Sequence, residues 1–251
     1  MARNRFAPII IALAVGLACP AHAAPPPANL TQALADKARP EADVARDAAR
    51  KPAELLTFAG VKPGWKVADF MMGKGYFTRI LSAAVGPKGH VWAFQSAEFI
   101  GMRKAYGDEQ KAAVAGYANV TPLTGPVAAI GLPDGLDLVM TVQNYHDLHL
   151  KAFPADSAAR VNAQVFKALK PGGVYLVVDH SAQAGAPLTV ADTQHRIDEA
   201  TVKAEVEAAG FRLEGESGLL ANPADPRDKM VFDPSIRGRT DQFVLKFRKP
   251  R

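Results

Sequence analysis

Short apolar runs recur along this chain, separated by stretches in which apolar residues return every three or four positions. Residues 65–70, 90–94, Leu136–Val142 and 174–178 have the length and composition of buried strands. A shorter run at 119–121 suits a third strand, and 210–215 and 241–248 suit a sixth and a seventh, the last alternating Phe243, Leu245 and Phe247 with charge. Between them, Phe77, Ile80, Leu81 and Ala84 fall at helical spacing, as do Val161, Val165 and Leu169 within 155–169, and Val202, Val206 and Ala209 within 191–209. Further helices are expected at 30–50, divided by Pro40, at 52–59 behind a first-turn proline, and at 97–118. Strands alternating with helices predict an α/β domain built on a mostly parallel sheet, a three-layer sandwich with helices on both faces.

Two segments lack either rhythm. Residues 217–240 carry Pro223, Pro226 and Pro234 with no period, and loops this long inside a domain are lids or coverings. Lys229, Phe232, Arg237 and Arg239 give this one something to close with. The other is the start. Arg3 and Arg5 precede an apolar run, 9–18, too short for a membrane span, and Ala21-His-Ala23 has the form of a cleavage site. Residues 1–23 therefore read as a signal peptide directing export to the periplasm, with no stable membrane insertion after cleavage. A lipid anchor on Cys19 and an uncleaved anchor are the alternatives. Residues 24–51 form a linker and N-terminal helical segment, and residues 52–250 the main domain.

Composition changes this picture little. Cleavage leaves 228 residues without cysteine, which rules out disulfides and thiolate ligands in the mature protein. The formal charge falls from +5 to +3, and no dense Lys/Arg run with interleaved aromatics marks a nucleic-acid partner. A small-molecule substrate is the expectation.

Candidate chemistry gathers at strand ends. The first strand ends in Asp69-Phe-Met-Met-Gly73-Lys-Gly75-Tyr76 before a helix begins, a glycine bend that brings backbone close to a ligand. The fourth strand runs straight into Gln143-Asn144-Tyr145-His146-Asp147, and the fifth into Asp179-His180. In open α/β sheets the loops beyond the carboxyl ends of the strands make the ligand crevice. His146 has three readings: a base oriented by Asp147, a histidine bonded to a loop carbonyl, or a metal ligand with His149. No metal site is expected. His195 and Arg196 are within reach of the crevice but read first as surface residues. Asp43, Arg46, Asp47 and Arg50 have the spacing of a solvated ion-pair face, the alternative being that Arg46 or Arg50 points over the pocket.

The bend resembles the nucleotide-binding turn of class I, Rossmann-like S-adenosylmethionine-dependent methyltransferases, Asp/Glu-x-Gly-x-Gly-x-Gly. Asp69, Gly73 and Gly75 match it, and Met71 stands where the first glycine is expected. The lead-in from Leu55 to Asp69 is similar to that family's, and so is Leu169-Lys-Pro-Gly-Gly173 followed by an apolar strand and Asp179. The likeness is to an exported, uncharacterised branch. It implies a seven-stranded sheet of order 3-2-1-4-5-7-6 with strand seven antiparallel, and S-adenosylmethionine above strands one and two. Asp69, Met71, Gly73, Gly75 and Tyr76 would hold the methionine end, Gln95 the ribose in place of the family's acid, with Asn144 nearby. His146, Asp147 and Tyr145 would lie nearest the acceptor. The implied activity is methyl transfer to a small molecule outside the cytoplasm. The cofactor is made inside the cell, so a non-catalytic binder of a nucleoside or small molecule on the same scaffold is the alternative. A metal-assisted hydrolase using His146, His149 and Asp179 is a third.

Overall fold

A computed structural model describes residues 25–251, so the signal peptide expected at 1–23 lies outside the described residues. The chain enters through three short helices, α1 (Ala28–Leu34), α2 (Glu41–Val44) and α3 (Asp47–Arg50), with Pro40 at the start of α2. Then come α4 (Pro52–Ala59), β1 (Lys66–Phe70), α5 (Tyr76–Val85) and β2 (His90–Ser96). Helices α6 (Ala97–Met102) and α7 (Ala105–Val114) lead to β3 (Val120–Gly125), followed by β4 (Leu136–Val142), α8 (Ser157–Ala168) and β5 (Leu169–His180). The chain closes with α9 (Val190–Gln194), α10 (Glu199–Ala208), β6 (Arg212–Ser217) and β7 (Gln242–Arg248).

The seven strands form one sheet in the order β3-β2-β1-β4-β5-β7-β6. Only β7 runs against its neighbours, β5 and β6. The sheet is the one expected, and strand alternation builds it. Ala68, Phe70, Val139, Tyr175 and Val177 point to one face, into a core shared with Val161 and Val165 of α8 and Val202 and Val206 of α10. Val67, Leu138, Met140, Leu176 and Val178 point to the other, against Leu55 and Leu56 of α4 and Ile80 and Leu81 of α5. Each of these large apolar side chains, fully buried, contributes roughly 1.5–3 kcal/mol. Burial on both faces is why these strands read as largely apolar runs.

Helix α1 lies on α5 and buries Leu30 and Ala33. The expected helix at 97–118 is two, because Arg103 is extended (φ −147°) and leaves the helix to stack on Tyr106 and pair with Glu109 at 2.7 Å. The expected helix at 191–209 also breaks. His195 takes a left-handed backbone (φ 53°), Ile197 bridges to Ser181, and Asp198 starts α10 by accepting from the Ala200 N–H. That break aims His195 at the crevice. The aperiodic segment between β6 and β7 covers the carboxyl end of the sheet, fastened where the Val231 N–H donates to the Gln194 carbonyl. No helix among the described residues is long and apolar enough to cross a membrane.

Candidate functional site

The turn after β1 has left-handed backbone at Met71 (φ 56°), Gly73 (57°) and Gly75 (78°). Gly75 is required by packing, since a Cβ there would lie 2.7 Å from that of Ala113. Gly73 is different: a Cβ there would meet nothing within 4 Å, because the position faces an open cavity. Met71, a residue with a side chain in a left-handed conformation, holds about 1–2 kcal/mol of strain at the place where the resembling turns carry glycine. Its side chain lines the cavity wall, whereas Met72 turns away to pack on Ala93 and Ala113. The space above the bend is therefore open.

Not every residue expected at this turn reaches that space. Asp69 is buried beneath it, accepting a 2.6 Å hydrogen bond from the Thr78 hydroxyl. Burial pushes its carboxyl up to about 6, against the pull of Thr78 and Arg50. Tyr76 donates to Asp47 at 2.6 Å, with the guanidinium groups of Arg39, Arg46 and Arg50 packed on its ring. Burial and the Asp47 carboxylate raise its phenol pKa. Asp69, Gly75 and Tyr76 thus shape the turn without lining the cavity. Gln95 does line it, but its Oε1 accepts from the Gly73 N–H at 3.2 Å, so the oxygen expected for a ribose is engaged in holding the bend.

Two adjoining cavities of about 350 and 360 Å³ make one crevice over the strand ends. The first, above β1 and β2, has Met71, Gly73, Gln95, Phe99 and Tyr106 on its walls. The second has Arg46, Arg50, Arg237, Thr240 and Gln242. Gln143, His180, Val231 and Phe232 border both. The solvated face expected for 43–50 is not what forms. Asp43 is buried against Arg79 (2.5 Å), Asp47 binds Arg39 (2.6 Å), and Arg50 donates to Gln143 Oε1 at 2.6 Å. Burial, together with Arg46, lowers the Arg50 pKa to about 10.

At the junction of the lobes, the β4 loop turns through Gln143 (φ 64°) into a single helical turn at His146–His149. Asp179, fully buried at the end of β5, accepts from the His146 N–H (2.7 Å) and from its ring Nδ1–H (2.8 Å). Asp179, rather than Asp147, thus orients the ring, leaving Nε2 toward the crevice beside Asp147 Oδ1 at 3.2 Å and His195 Nδ1 at 3.3 Å. Burial acts to lower the His146 pKa, but the carboxylates of Asp179 and Asp147 outweigh it and lift it to about 10. The two carboxylates thus favour positive charge at His146. Asn144 Nδ2 donates to Asp147 Oδ2 at 3.1 Å, and both residues line the first lobe.

Tyr145 points the opposite way. It is fully buried in the core, its hydroxyl accepting from Asn162 (2.8 Å) and donating to Glu205 (2.9 Å), so its role as a group near the acceptor gives way to a structural one. His149 pairs with Glu205 at 3.1 Å and does not join His146. His195, read first as a surface residue, lies on the crevice. Arg196 is neither exposed nor on the crevice: fully buried, it holds Asp225 of the covering segment at 2.9 Å and donates to the Ser181 and Lys229 carbonyls. His180 bonds Thr240 at 2.8 Å, and burial drives its pKa down to about 3.

Comparison with known proteins supplies the fold. No protein-family model matches the sequence, and no curated protein matches it either. Solved structures do. An S-adenosylmethionine-dependent methyltransferase from Aquifex aeolicus is 20% identical with a TM-score of 0.56, covering 81% of this chain and 98% of its own. An arsenic(III) S-adenosylmethionine methyltransferase from Chlamydomonas reinhardtii is 20% identical with a TM-score of 0.55, covering 91% and 75%. Fibrillarin from Aeropyrum pernix, solved with natively bound S-adenosylmethionine, is 17% identical with a TM-score of 0.52, covering 80% and 76%. The chain thus has the Rossmann-like fold of these proteins.

Proposed function

We propose that this chain is an S-adenosylmethionine-dependent methyltransferase acting on a small-molecule acceptor outside the cytoplasm. The observation that carries the reading is Gly73, whose missing Cβ opens onto the cavity above β1 and β2 in a fold shared with methyltransferases. The residues fit an adenosine-bearing ligand: a glycine cradle, aromatic walls at Phe99 and Tyr106, and the amide of Gln95 at the end of β2. Bound there, the cofactor supplies a methyl group already activated on a sulfonium.

What remains for the protein is alignment, which supplies up to about 7–11 kcal/mol of a barrier. Gly73 and Met71 set the floor of the donor lobe. Arg46, Arg50 and Arg237 line the second lobe and favour an acceptor carrying negative charge. His146 lines the donor lobe and presents its ring Nε2 to the crevice. Val231 and Phe232 roof both lobes and limit water. Location outside the cytoplasm rests on the leader pattern of residues 1–23.

A second reading, a nucleoside binder without turnover, is favoured by one feature. Gln95 stands where the family's acid would grip a ribose, and its oxygen is engaged by Gly73. Calorimetry on residues 24–251 with S-adenosylmethionine and S-adenosylhomocysteine tests both. Saturable binding is expected, and no heat or thermal shift at millimolar ligand would remove the transferase reading. Binding of both ligands with no methyl transfer across a panel of anionic hydroxy and thiol compounds would favour the binder.

A further inference from the structure

The geometry points to a divalent-metal site of zinc type formed by His146, Asp147 and His195, open toward the crevice. His146 Nε2 lies 3.2 Å from Asp147 Oδ1 and 3.3 Å from His195 Nδ1, and the latter two atoms are 3.9 Å apart. Zinc holds nitrogen and oxygen ligands at about 2.0–2.2 Å, which makes the edges of its tetrahedron about 3.3–3.6 Å. The three observed separations bracket that range, so an ion placed among these atoms needs only small side-chain shifts.

The surroundings are those of a metal centre rather than of a chance cluster. Metal-bound histidines donate their other ring N–H to a carboxylate, which fixes the ring and its free lone pair. Asp179 does this for His146 at 2.8 Å. The ligating carboxylate is itself steadied, through Asn144 Nδ2 on Asp147 Oδ2 at 3.1 Å. His195 reaches the group as the chain leaves α9 in a left-handed conformation (φ 53°). Charge agrees as well. Asp147 and Asp179 are 5% and 0% exposed, and no Lys or Arg among the described residues bonds either carboxylate. A dication that displaces the Nε2 proton of His146 balances both.

Three protein ligands with the fourth position open is the arrangement of catalytic, not structural, zinc. All three line the donor lobe at its border with the arginine-lined lobe. The open position suits an oxygen or sulfur of the acceptor, bound as an anion after its proton passes to solvent. That last assignment, a hydroxyl or thiol acceptor, rests on the transferase reading, whereas the metal site does not.

The test uses residues 24–251, tag removed and stripped with chelator, titrated with Zn2+ by calorimetry and with Co2+ by visible absorption. One equivalent is expected to bind, with the intense bands of tetrahedral cobalt. His195→Ala, at a partly exposed position outside the core, should lower zinc affinity at least 100-fold. Asp179→Asn should lower it about 10- to 100-fold, and His149→Ala, outside the site, should leave it unchanged. Absence of a stoichiometric site, or equal zinc affinity in His195→Ala and the parent, overturns the proposal. S-adenosylhomocysteine titrated into the same proteins keeps the two claims apart. Zinc binding without S-adenosylhomocysteine binding upholds the metal site and removes the transferase; the converse removes only the metal.

Discussion

Replacing Gly73 by alanine separates the two demands that a glycine can answer, backbone conformation and empty space. In the folded chain Gly73 has φ 57°, and the added methyl would meet no heavy atom within 4 Å. The cost to stability is therefore the left-handed backbone alone, about 1–2 kcal/mol. In a domain of this size that lowers Tm by about 2–8 °C. The cost to ligand binding has another source, because the methyl projects into the cavity that would hold the adenosine compound. Overfilling a formed site costs about 1–3 kcal/mol, a loss of roughly five- to 150-fold in affinity. Gly64→Ala is the control. Gly64 has φ 81° and equally open space, but it precedes β1 at the far end of the sheet. Differential scanning fluorimetry should show similar falls in Tm for the two variants, and calorimetry with S-adenosylhomocysteine should show weakened binding only in Gly73→Ala. Equal affinity in both would refute the idea that this bend cradles the ligand.

Two further predictions concern residues beneath the crevice. Asp69 has its pKa raised from an ordinary 3.8 to about 6 by burial, so folding favours its neutral form: the stabilisation is complete below pH 4 and lost as pH rises through 6. The loss amounts to about 3 kcal/mol. Asp69→Asn, which keeps an acceptor for Thr78, should remove this fall, so that urea-derived stability of the variant relative to the parent rises by that amount from pH 4 to 7; a difference that does not vary with pH would show that the carboxylate is not desolvated as described. Tyr145→Phe removes a hydroxyl shared by Asn162 and Glu205, so stability should fall by about 1–3 kcal/mol while methyl transfer per folded molecule stays within a few-fold. A 100-fold drop in turnover with unchanged stability would return Tyr145 to the reacting centre.

The sheet was readable because its central strands are covered on both faces, so that Leu136–Val142 is written as a mostly apolar run, interrupted by Asp137 and Thr141. The glycine bend was readable for a related reason, since backbone geometry constrains residue type locally. The crevice was less so. Its defining neighbours are far apart in sequence: Asp147 and His195, Gly73 and Gln95, Arg50 and Gln143. Tyr145 and His146 are adjacent yet face opposite ways, and what decides this is the pair of partners at Asn162 and Glu205. The ion-pair spacing at 43–50 misled for the same reason. Arg79, Arg39 and Gln143 draw those side chains inward, and a local pattern carries no trace of them.

The buried Arg196–Asp225 pair limits how the crevice can be entered. Raising the segment over it as a single flap would draw two ions apart inside the protein, at a cost of about 3–5 kcal/mol. Movement of the roof that spares this rivet is confined to its outer margin, where Phe232 is 54% exposed and Met230 43%. The roof can therefore yield at its apolar rim while its anchored base stays in place, and bulk added at Met230, which lines neither lobe, would test that rim without touching the cavity.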